Sequence, residues 1–193
     1  MTDQREGDAE RFLGALEEKV QDLLSLSKIP ASDPEKINFD IYKKFRNKSD
    51  ECLSFLIIIE ERIKEVKGEQ KELLSEQFEK LLVATWSVLL EGSSSFLSVL
   101  SQREYLPIGT RYLFEQELNT ISEAEAVMKE KNNQDFLSDS MTESREKAKD
   151  ILKDMISRAP NLIGFDEDEV AKPVPAGGVA QEEGGEDKAE AEP

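Results

Sequence analysis

Large apolar residues in this chain recur at intervals of three and four, a spacing that suits helices and little else. Phe12, Leu16, Val20, Leu23 and Leu24 form one such series, and Ile37, Ile41, Phe45, Cys52, Leu56, Ile59, Ile63 and Val66 form another. At the pitch of an α-helix each series lines a single face. No stretch shows sustained apolar–polar alternation bounded by turn residues, which would mark a strand, and no segment repeats at a fixed period. The expected fold is therefore all-α: an elongated antiparallel bundle of about five helices.

Capping and breaking residues set the expected boundaries. A first helix runs from about Asp8 to Ser27 and is stopped by Pro30. Ser32-Asp33-Pro34-Glu35 offers a side-chain cap, a first-turn proline and acids near the positive helix end. A second helix is expected from there to Lys67, about 50 Å long. Lys48-Ser49 interrupts its stripe, and Leu53 with Phe55 through Ile59 widens it towards more than one neighbour. Gly68 follows Lys64 and Lys67, a C-terminal signature, so a turn into an antiparallel third helix is preferred over one continuous helix.

In the third helix, residues 81–90 are apolar almost all round. Such a segment belongs either at the centre of the bundle or in a homo-oligomer interface. Gly92-Ser93-Ser94-Ser95 either breaks this helix or lets two backbones come close. Leu106 through Thr110 reads as a turn, with Thr110 capping a fourth helix from about Arg111 to Lys131 that carries Phe114, Leu118, Ile121 and Met128 on one face. Ser140-Met141-Thr142-Glu143 has the form of a capping box for a fifth helix, which Ala159-Pro160 ends after Arg158.

Composition changes abruptly after residue 165. Residues 166–193 hold ten acids, two lysines, four glycines, three prolines and no aromatic side chain. A stretch like that buries too little apolar surface to offset its ordering entropy, so it is expected to be a disordered acidic tail. The expected organisation is a helical domain over 1–165 and a tail over 166–193.

Residue types narrow the chemistry. With no histidine, a Ser-His-Asp or Cys-His arrangement cannot be built, nor any metal site that needs imidazole. Cys52 is the single cysteine and falls on an apolar stripe, which points to a core residue rather than a reactive thiol. Phosphate-binding, dinucleotide-binding, calcium-loop and zinc-protease motifs are not found. Adjacent acids such as Glu17-Glu18 and Glu60-Glu61 read as solvated helix faces, and Asp166-Glu167-Asp168-Glu169 lacks the glycine turn and spacing of a calcium loop. No catalytic, cofactor or metal role is therefore expected.

A formal charge of −17 disfavours direct binding to nucleic acid or an anionic membrane. The longest basic cluster, Lys43-Lys44-Phe45-Arg46, reads as a solvated face. The polar start, Met1 through Glu6, carries no secretory signature, and the apolar run over 81–90 is shorter than the roughly 20 residues a membrane helix needs. A cytoplasmic location without membrane insertion is expected.

Leu162, Ile163 and Phe165 stand between a helix-ending proline and the acidic run. They either cap the bundle or form a short docking peptide, with the acids steering a basic protein partner. The leading expectation is a non-catalytic interaction protein: an adaptor, scaffold or chaperone-like subunit. Two alternatives stand behind it: an acidic mimic of nucleic acid, and an accessory factor that assists phosphate hydrolysis on a partner through carboxylate or amide groups.

Overall fold

The first long helix is not stopped by Pro30 alone. In the computed structural model, which describes residues 2–130 and 138–159, α1 spans Thr2–Ser27 and α2 is one short turn, Ile29–Ser32, with Pro30 buried at its start. A 3₁₀ turn follows at Pro34–Lys36. The long helices are then α3 (Phe39–Glu65), α4 (Glu69–Leu100), α5 (Thr110–Glu130) and α6 (Asp139–Arg158). Five long helices thus form an all-α bundle, with no strand among the described residues. They belong to one compact unit, Met1–Leu162. The proposed tail over 166–193 and the segment Leu162, Ile163, Phe165 lie outside the described residues.

Several expected boundaries move. The second long helix begins at Phe39, after Ser32-Asp33-Pro34-Glu35 has been used up in short turns. Its cap is Asn38, whose side-chain oxygen accepts from the backbone N–H groups of Asp40 and Ile41 at 3.0 Å each. Ile37 is fully buried just before it, so packing holds the connection extended and delays the helix to the next good cap. Likewise α6 is capped by Ser138, which accepts from Met141 N–H at 3.2 Å, and Ser140 lies inside the helix. Thr110 is itself the first residue of α5, and its hydroxyl donates to the Pro107 carbonyl at 2.7 Å, closing the preceding turn.

The turn at Gly68 forms as expected. Val66 is extended and Gly68 has φ +82°, a conformation open to glycine and costly for other residues. It sends α4 back antiparallel along α3. Contacts fix the other directions. Phe12 meets Phe55, Lys19 pairs with Glu51 and Asp22 with Lys48, so α1 and α3 run antiparallel. Gln70 donates to Glu10, and Gly92 lies against Ser27, so α1 and α4 run parallel.

α4 is the centre. It packs on α1, α3 and α6 and is not broken at Gly92-Ser93-Ser94-Ser95. Gly92 is buried where a Cβ would lie 2.6 Å from the Phe45 ring, so the small residues allow close approach rather than a break. Leu89, Leu90, Phe96 and Leu97 are fully buried. By length and composition alone α4 is apolar enough to cross a membrane, and the central helix of a bundle satisfies the same criterion. Beside it, Tyr42, Phe45, Phe96 and Phe114 form a contiguous ring cluster, with Phe45 and Phe96 centroids 4.9 Å apart.

Candidate functional site

The backbone of α5 lies close to α6, while its reach towards α3 and α4 is made by the long side chains Phe114 and Glu117. That spacing has two consequences: a buried polar cluster where the side chains meet, and an open groove further along.

The groove has a volume of about 620 Å³. From α3 it is lined by Leu53, Leu56, Ile57, Glu60 and Lys64, which share one helix face by their three- and four-residue spacing. From α4 come Phe78, Leu82 and Trp86, one turn apart, and from α5 Thr120, Glu123 and Val127. Trp86 is buried in the floor, and its indole N–H has no acceptor among the described residues. Ile57 stands on the lip, 66% exposed. Glu123 is also exposed, with no ion-pair partner among the described residues. A smaller depression of about 190 Å³ extends the groove past Phe78 to Lys71 and Glu79.

The polar cluster joins three helices. Arg46 of α3 and Glu117 of α5 form an ion pair through Nε and Oε2, with Arg46 4% and Glu117 0% exposed. Ser93 of α4 donates to the other Glu117 oxygen at 2.5 Å, and Arg46 Nη2 donates to Asp50 at 3.2 Å. The Tyr42 hydroxyl and Arg46 Nη1 are buried with no hydrogen-bond partner among the described residues. Burial pushes the Glu117 carboxyl above its ordinary range, and the Arg46 guanidinium and the Ser93 hydroxyl pull it back down. Burial, then the charge of Glu117, raise the Tyr42 phenol well above its usual value.

A buried carboxylate with a raised pKa is a frequent mark of acid–base chemistry. Here Glu117 is fully enclosed and lines neither depression of the groove. Its geometry fits a clamp that fixes α5 in register against α3 and α4, the best attested use of a buried ion pair.

A third feature lies at the turn between α4 and α5. Tyr105, Ile108 and Tyr112 are 81%, 75% and 65% exposed.

Set against expectation, Cys52 is buried as anticipated, and burial raises its thiol pKa to about 11. In the basic cluster only Lys43 and Lys44 face solvent; Arg46 is core. Ser49, read as an interruption of the stripe, is fully buried because its hydroxyl donates to the Phe45 carbonyl at 3.0 Å. The widened stripe does not bury all its members, since Ile57 and Ile58 stay exposed. Glu117 is not among the residues the sequence singles out. The available signal was its position three residues after Phe114 and four before Ile121, on the apolar stripe of α5. No family model, no curated protein and no solved structure matches the chain.

Proposed function

We propose that the chain is a non-catalytic protein–protein interaction module, an adaptor, scaffold or chaperone-like subunit, that receives a partner along the groove between α3, α4 and α5. The observation that carries this reading is an apolar trough of about 620 Å³, floored by Trp86 and left uncovered at Ile57. Burying a large apolar side chain is worth about 1.5–3 kcal/mol, so Ile57 and its neighbours gain from a cover. Concave apolar surface between bundle helices is a common place for a binding site.

This surface favours a protein partner over a basic groove built for nucleic acid, which would be met by a charged face rather than an apolar one. It also favours docking over assisted hydrolysis, because the groove's ionisable groups sit on its rim. Leu162, Ile163 and Phe165, followed by the acidic run, supply a second short docking element in the same reading. The working location is the cytoplasm.

Affinity capture with the full chain tests this. A specific partner should be recovered by the parent and lost with Ile57→Asp combined with Thr120→Arg, while helix content is retained. Recovery of the same proteins by both forms would remove the groove from the account.

A further inference from the structure

We propose that the groove's occupant is a basic amphipathic helix of another protein, about three to four turns long. This rests on the reading of the groove as a docking surface and adds the chemistry of the partner.

Length comes first. The main groove and its extension follow α3 from Leu53 to Lys64 and α4 from Lys71 to Trp86. At 1.5 Å per residue those stretches measure roughly 16 to 22 Å, three to four helical turns. A helix suits such a trough because it satisfies its own backbone hydrogen bonds. An extended peptide laid on apolar side chains, with no sheet edge to pair with, would leave its N–H and C=O groups unmet.

Charge selects the partner's flanks. Glu60, Glu79 and Glu123 line the groove and its extension, with Lys64 and Lys71. Lys64 is bound to Glu61 at 2.8 Å, so its charge is locally neutralised. Glu60 is engaged as well, which leaves Glu79 and Glu123 against Lys71 among the described lining residues, a net acidic rim on a chain of charge −17. A second copy of this chain would bring one acidic rim against another, since a two-fold interface sets the same patch on both sides. A helix with an apolar stripe between lysines or arginines meets both the floor and the rim.

Trp86 is the chain's single tryptophan and lies in the groove, so its fluorescence reports occupancy. The probes are two synthetic amphipathic helices of about four turns with the same leucine stripe, one flanked by lysines and one by glutamates. Titrated into the full chain, the Leu–Lys helix should shift Trp86 emission saturably, and binding should weaken with salt. Ile57→Asp should weaken it about tenfold or more, although the substitution adds a negative charge that favours non-specific attraction. Ile57 is largely exposed, so the variant should retain its helix content, which circular dichroism checks. Glu123→Lys is the second variant and should weaken the Leu–Lys helix while strengthening the Leu–Glu helix.

Equal binding of both helices, lost in Ile57→Asp, would overturn the basic partner and leave the interaction reading intact. A concentration-dependent doubling of mass abolished by Ile57→Asp would make a second copy the occupant and also overturn the inference. Binding of the Leu–Lys helix unaltered by Ile57→Asp, or binding without any change in Trp86 emission, would overturn both readings.

Discussion

Replacing Arg46 by leucine should be among the most damaging single changes in this chain, and more damaging than replacing its partner. Arg46→Leu leaves the Glu117 carboxylate fully enclosed with one neutral donor, Ser93. Breaking a buried pair from one side costs about 3–5 kcal/mol. That is a large share of the 5–15 kcal/mol or so by which a domain is stable. Glu117→Leu is gentler because Arg46 keeps Asp50, a half-exposed carboxylate at 3.2 Å; about 1–3 kcal/mol is expected. Removing both charges should return stability to within about 1 kcal/mol of the parent, or above it, since apolar replacements of buried pairs are often neutral or better. Guanidinium unfolding followed by far-UV circular dichroism gives all four corners of the cycle. A loss under about 1 kcal/mol for Arg46→Leu, or a double variant no more stable than that single one, would refute the clamp.

The same variants carry a pH signature. The folded-state pKa of Glu117 lies above its ordinary value of 4.5. As pH rises, the unfolded chain therefore loses this proton first, and stability falls through the window between the two values; acidification through that window restores it. In Arg46→Leu the main downward pull is gone, so the window extends to higher pH. The stability gap between parent and variant should narrow as pH is lowered towards the ordinary carboxyl value of 4.5.

Two glycines should respond oppositely to alanine. At exposed Gly14 in α1 nothing lies within 4 Å of an added Cβ, so Gly14→Ala should stabilise by about 0.5–1 kcal/mol. At Gly92 the new methyl meets the buried Phe45 ring, and about 1–3 kcal/mol should be lost despite the gain in helix propensity; equal effects in paired melts would contradict the packing described. Trp86→Ala should cost about 3–5 kcal/mol, measured by the same unfolding assay, and a loss below about 1 kcal/mol would take Trp86 out of the core. Cys52, enclosed and with its pKa raised to about 11, should resist thiol reagents near neutral pH until denaturant is added, and rapid labelling of the native protein would contradict its burial.

What the sequence made legible is what periodicity carries. The stripes of α1 and α3, the turn at Gly68 and the all-round apolar character of residues 81–90 all follow from side-chain spacing, and each has its counterpart in the bundle. Caps were less legible. Ser32 and Asn38 are equally good by local chemistry, and the burial of Ile37 between them decides. The candidate site was least legible. Arg46 and Glu117 are far apart in the chain, and a charged residue is ordinarily read as solvated. Only the approach of α5 to α3 through long side chains makes them neighbours, and the same standing-off opens the groove. The periodic stripe sets Ile59 with Leu56 and Ile63 and leaves Ile57 off it, but whether Ile57 meets a second neighbour depends on that spacing too.

An amide and indole chemical-shift map of the full chain titrated with the Leu–Lys helix tests most directly whether the α3–α4–α5 groove is where this chain meets a partner. The largest changes should cluster at Leu53, Ile57, Thr120 and Glu123 and include the Trp86 indole N–H, with little change at Tyr105 and Ile108. Changes centred on Tyr105, Ile108 and Tyr112, with the Trp86 indole signal unmoved, would contradict docking in the groove.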